Sequence, residues 1–400
     1  MTSQIVLGNG HGIAVASDSA MTMGGRRTYD TSEKIYPLPL PHAVAVLHAG
    51  NVVFHRMPYS TIISSWIQSI GDHQLRNLPD YVESFRKFLV DEINGWCDLE
   101  QQKSDFIGNM HYEFKRIWNL MFVGGAVVSP SEALKIWQSE VKNVSAMDSY
   151  THSRASVQEK FNQIWSKQTD GSDGVNERVE YWFDDVPRTT EIDELIEQYV
   201  WKSIANHYPL SDEYSALLTF VGFGTKSMIP ALQRLEMHGA LDDTIVWDQD
   251  DMRYATKHPN GFLLIDVIGQ QRAISTFLRG YDPELPQTIQ TASSGAFEKK
   301  IESESAGQQR SEESPSQPDL TVENKMGEII ESAFADFGEE TRLGSFRTTA
   351  AGMPLASLAA TAKSLIQIQE LSLDSRGELP IVGGQVRVGT ITKTNGFKWV

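Results

Sequence analysis

The chain opens MTSQIVLGNGHGIAVASDS, and no other stretch limits its fold so tightly. QIVLGN and GIAVASD read as strands. Asn9-Gly10-His11 between them is a strong hairpin signal, because asparagine and glycine accept the positive φ of a tight turn. A three-residue loop over Asn9-Gly10-His11 sets Thr2 opposite Asp18. A two-residue turn over Asn9-Gly10 sets Asp18 one residue further on. Paired strands run about 4.8 Å apart, so either register lays a carboxylate beside the second residue of the chain.

KIYPLPL and AVAVLHAG read as two more short strands. Pro37, Pro39 and Pro41 fall in their connection, since proline cannot donate to a central ladder. From about Pro58 the apolar spacing becomes helical, in YSTIISSWIQSI, in LPDYVESFRKFLVDEINGW and through most of 110–205. SALLTFVGFG and GFLLIDVIG return as buried strands; SMIPALQRLEMHG between them fits a strand or a helix. RAISTFLRGY, Glu323–Phe337 and LASLAATAKSLIQIQEL read as helices, and GGQVRVGTIT and FKWV as a closing strand pair. Strands on both sides of each helical block predict an α+β protein with helices outside its sheets. Residues 286–321 are rich in Ser, Glu, Gln and Pro, so a disordered linker is expected there. Residues 1–285 and 322–400 are then one domain, with 100–210 as an enlarged helical insertion.

Composition narrows the function. The formal charge is 35 − 52 = −17, which argues against general nucleic-acid binding. Cys97 is the single cysteine, so neither an intrachain disulfide nor a cysteine metal cluster is possible, and a buried apolar role is expected for it. The ten histidines show no metal-ligand spacing, and GFGTKS lacks the spacing of a phosphate loop. No metal or cofactor is expected. Trp66, Trp96, Trp118, Trp137, Trp165 and Trp182 are read as core or interface anchors. No basic leader with an apolar stretch and no run of about 18 apolar residues occurs, so a cytoplasmic location away from membranes is the expectation.

Thr2 and Asp18 are sixteen positions apart, and so are Asp18 and Lys34, which opens the KIYPL strand. An Asp18–Lys34 ion pair near the hairpin end follows. Aminopeptidase removal of Met1 is expected, because the threonine side chain is small. Thr2 would then carry a hydroxyl and an α-amine of ordinary pKa about 7.7–8.0. A nearby lysine cation lowers that pKa, because like charge disfavours protonation. The neutral amine can then take the hydroxyl proton, directly or through water, which makes Thr2 an activated nucleophile.

TSQIVLGNGHGIAVASDSAMTMGG…SEKI resembles the start of proteasome β subunits and HslV-type peptidases, the N-terminal-nucleophile hydrolases. Thr2, Asp18 and Lys34 match that family's catalytic trio without a gap. Ser19, Thr22 and Gly24 match its D-S-x-x-T-x-G segment, and VGGQVRVGTITKTNGFKW resembles its closing segment. The resemblance covers roughly residues 2–70 and 355–400 well and 215–280 loosely. It implies a four-layer αββα sandwich and a threonine peptidase without a cofactor. It further implies an oxyanion site in the Ala49-Gly50 turn, pairing of Thr22 with a peptide substrate, and Met21 in an apolar primary pocket. A homo-oligomeric ring and an ATP-dependent unfoldase partner are also implied, with neither nucleic acid nor membrane as a partner.

Three features depart from the family pattern. Gly269-Gln270-Gln271 stands for a G-S-G turn, Val382 stands for a serine, and Glu378 is the nearest acid to an expected aspartate. A small-molecule amidase on the same fold, or a non-catalytic ring protein, are the alternatives.

Overall fold

The computed structural model describes residues 2–23, 26–29, 32–123, 126–145, 154–166, 174–186, 188–205, 215–241, 244–292, 320–375 and 382–400. Two antiparallel sheets dominate it. The first runs in the order Thr256–His258, Gly261–Gly269, β1 (Ser3–Asn9), β2 (Gly12–Ser17), Arg387–Thr392 and Gly396–Trp399. The second runs Thr244–Gln249, Ala231–Leu241, Ala216–Phe223, Ala43–Gly50 and Ile35–Pro37. The ambiguous SMIPALQRLEMHG is a strand from Ala231 on, fixed by neighbours on both edges rather than by its own pattern.

β1 is buried along its whole length: Ile5, Val6 and Leu7 are apolar on both faces, and the polar Ser3, Gln4 and Asn9 are hydrogen-bonded. Ile5 and Leu7 point to an outer helix layer, where they meet Leu358, Ala362 and Ile366. Val6, Ile13 and Val15 point the other way, against Ala45, Leu47 and Val221 of the second sheet. Small residues at positions 43, 45 and 49 let the two sheets approach closely. On the far face of the second sheet lie α1 (Tyr59–Ile70) and α2 (Leu78–Glu92). There the rings of Trp66, Phe85 and Phe220 meet edge to face at 5.4–5.7 Å. Burying each such side chain contributes about 2–3 kcal/mol.

The insertion holds α3 (Leu99–Leu120), α4 (Pro130–Ser145), α5 (Arg154–Trp165), α6 (Val175–Phe183) and α7 (Thr190–Ala205). It has its own core around Phe114, Trp137, Phe183 and Tyr199. No helix among the described residues is long and apolar enough to cross a membrane.

Two expectations need correction. The first hairpin pairs Gln4 with Ser17 and Asn9 with Gly12, so Gly10-His11 forms the turn and neither anticipated register holds. Asn9 stays in the strand because its Nδ2 donates to the carbonyls of Ala350 and Met353, while its Oδ1 accepts the His11 N–H. Residues 286–292, expected to begin the linker, are helical. Asp282 accepts the Glu284 N–H just before that helix, and Pro286 fits a first helical turn. Residues 320 and 321, expected to end the linker, open the helix Leu320–Gly338, while 293–319 lie outside the described residues, as do Gly24 and Glu378.

Candidate active site

β1 and β2 bring their open ends together at Ser3 and Asp18. The Asp18 N–H donates to the Ser3 carbonyl at 3.1 Å, and the Ser3 N–H donates to Asp18 Oδ1 at 2.9 Å. Lys34 enters from the second sheet, and its Nζ donates to the same Oδ1 at 2.8 Å. The Asp18 side chain is 0% exposed and that of Lys34 6%, so this is a buried ion pair. The Gly383 N–H reaches Asp18 Oδ2 at 3.4 Å. A buried carboxylate is tolerated when it is paired and hydrogen-bonded in this way. Burial lowers the Lys34 pKa from its ordinary 10.5, and attraction to Asp18 opposes that shift.

Thr2 is buried one residue before Ser3. Its carbonyl accepts the Gln270 N–H at 2.7 Å, and Ser3 Oγ donates to the Gln270 carbonyl at 2.9 Å. The Gly269-Gln270 turn thus grips the start of β1. Gly269 has φ +74°, and a β-carbon there would lie 2.0 Å from the Thr2 carbonyl oxygen, so only glycine fits.

The strand Ala43–Gly50 ends beside Lys34. The His48 N–H donates to the Lys34 carbonyl, and the Asn51 N–H donates across the other edge to Ser215. Alternation directs the Ala49 N–H to the Ser215 edge and the Gly50 N–H to the Lys34 edge. Continuing the Ile35↔Leu47 register would oppose Gly50 to Ser32, but the Ser32 N–H turns away to Ser19. Of the two oxyanion candidates, Gly50 is the one whose N–H is directed to the Lys34 side.

Met21 and Thr22 lie in a short strand, Met21–Met23, that pairs along one edge with Arg26–Tyr29. Met21 is half-buried. Ser19 anchors the approach to this strand: its Oγ accepts the Gln385 N–H, and its N–H donates to Gly383. Val382 is fully buried next to that contact.

Two supports went unread in the sequence. Gln4 Nε2 donates to the carbonyls of Lys34 and His48 and to Ser17 Oγ, pinning the second sheet to β1 and β2 directly below the ion pair. An isolated glutamine in an apolar strand would have been the signal. His48, fully buried, donates from Nε2 to the Asn51 carbonyl at 2.7 Å. Burial, with the Lys34 cation adding to it, lowers its pKa to about 4 against the pull of the Asn51 bond. At neutral pH it carries no charge.

A second cluster lies on the insertion side. Ligand atoms of His55, Cys97 and Asp105 fall within 4.8 Å of one another. Both ring nitrogens of His55 are engaged: Nδ1 meets Asp105 Oδ2 at 2.6 Å, and Nε2 accepts the Ala240 N–H at 2.7 Å. A metal on Nδ1 would force a proton onto Nε2, head-on against the Ala240 N–H, so the ring does not suit a metal. The cluster is a clasp between α3, the second sheet and the turn at His55-Arg56, whose φ values are +45° and +67°. Burial and the nearby Asp105 push the Cys97 thiol up to about 11.

No protein-family model matches the chain, and no curated protein matches it.

Proposed function

We propose that the chain is a threonine-type N-terminal-nucleophile hydrolase that cleaves peptide bonds within a four-layer αββα sandwich. One observation carries the reading: Asp18 holds both Lys34 and the backbone next to Thr2 on a single carboxylate oxygen. Asp18, Lys34 and the Ser3 backbone that follows Thr2 thus meet at one buried point.

The reading requires a free α-amine at Thr2. The buried Lys34 cation lowers the pKa of that amine, and the neutral amine takes the Thr2 hydroxyl proton as the oxygen attacks an amide carbonyl. The Gly50 N–H meets the developing oxyanion, a donor of the kind whose loss costs about 3–4 kcal/mol. The amine returns the proton to the leaving nitrogen, and water then cleaves the Thr2 ester. Gln270 fixes the Thr2 backbone throughout. The ring assembly and the unfoldase partner belong to the same proposal and rest on the family resemblance.

A small-molecule amidase would use the same residues, so peptide and small-amide panels divide the two. Buried Val382 favours a second reading, a non-catalytic scaffold, because an apolar side chain replaces a hydroxyl at the Asp18 contact. Thr2→Ala decides between enzyme and scaffold. The proposal expects the variant to fold normally and to lose peptide hydrolysis. Undiminished hydrolysis would remove Thr2 from the chemistry.

A further inference from the structure

A cavity of about 420 Å³ opens beside the turn that grips Thr2. Its floor is Gly269 and Gln270, the residues that touch the Thr2 carbonyl. One wall is α8 (Arg272–Arg279). Arg272, Ser275 and Arg279 share one face of this helix, since positions i, i+3 and i+7 align at 3.6 residues per turn. Pro283 and Glu284 complete the lining.

The two arginines differ. Arg272 donates from Nε and Nη2 to Asp282 Oδ2 at 2.9 and 2.7 Å, and its Nη1 lies 2.8 Å from Glu284 Oε2. Its charge is matched, and it ties α8 to the segment that carries Asp282 and Glu284. Arg279 is exposed, and among the described residues no carboxylate pairs with it. A guanidinium offers five donors in a planar fork that fits one carboxylate with two parallel bonds. The Glu284 carboxylate in the lining disfavours a polyanion such as a polyphosphate. A single carboxylate placed against Arg279 and the Ser275 hydroxyl suits this charge pattern.

We propose that this pocket binds a carboxylate of the substrate, so that the enzyme prefers peptides with an aspartate or glutamate near the cleaved bond. The identity of the ligand as a peptide rests on the hydrolase reading above; the carboxylate site does not.

Two arms separate them. In the first, the full-length protein is given paired fluorogenic peptides differing only by Glu against Gln at each position near the cleaved bond. At one position the Glu peptide should show a KM about ten-fold lower, the factor expected from one charge-assisted bond. Arg279→Ala should bring that ratio to about one, and Arg279→Lys should restore part of it. In the second arm, binding of N-acetylglutamate is followed by calorimetric titration, without catalysis. Binding that is lost in Arg279→Ala supports the pocket even if no peptide is cleaved, in which case the hydrolase reading alone falls. Equal binding in both proteins, or none in the unmodified one, overturns the pocket.

Discussion

Lys34 Nζ sits 2.8 Å from Asp18 Oδ1, across the gap between the two sheets. Removing the lysine strands a buried carboxylate with only backbone N–H donors. Lys34→Ala should therefore cost about 3–5 kcal/mol in urea unfolding. Adding Asp18→Asn removes the orphaned charge and should recover much of that loss. Hydrolysis should stay absent in both variants, because the cation that tunes the Thr2 amine is gone. An active double variant would show that Lys34 acts only as a structural partner.

Gly269 is tested by one methyl group. Gly269→Ala must displace the Thr2 carbonyl, which sits 2.0 Å from the added carbon, and must hold a left-handed φ. A loss of about 1–3 kcal/mol is expected from such strain, together with a fall in kcat. Gly10→Ala is the control, as nothing lies within 4 Å of its β-carbon position. Equal effects of the two would dismiss the turn as a support for Thr2.

His48 makes stability depend on pH. Its ordinary pKa is 6.5, and in the folded protein it is about 4. Between these values the unfolded chain binds more protons, so stability rises with pH. The contribution is fully present above about 6.5 and is lost as pH falls toward 4. It amounts to about 3 kcal/mol. His48→Gln should flatten the unfolding free energy across that window relative to the parent. The same slope in both proteins would assign it to other groups.

Much of this fold can be read from the chain. The helical blocks at 59–70, 78–92 and 355–375 follow their apolar spacing, and the closing strand pair follows its turn. The Asp18–Lys34 pair was legible because the turn and the equal spacing act locally. The register of that same hairpin was not. It is set by the grip on Asn9 of two carbonyls more than 340 residues away, which no local pattern reveals. The role of Gln4 is not legible for the same reason: its three acceptors lie on three separate segments. The Ala231–Leu241 strand was ambiguous because neighbours on both edges decide its form.

The His55 clasp gives a test of the insertion. His55→Ala removes the bonds to Asp105 and Ala240, and the buried Ala240 N–H left alone costs about 1–3 kcal/mol. Faster hydrogen exchange in α3 is expected first. Cys97 reports the same event, since the residue is 1% exposed and burial pushes its thiol pKa up to about 11. It should resist iodoacetamide at pH 8 in the native protein and react in His55→Ala. Rapid alkylation of the unmodified protein would mean that the clasp does not hold.

The most direct measurement is intact-mass and peptide mapping after treatment with a peptide epoxyketone, which needs a hydroxyl and a free amine on one residue. The account predicts a protein beginning at Thr2, one adduct per chain on that residue, and no adduct in Thr2→Ala. An active preparation that retains Met1, or one labelled elsewhere, would contradict it.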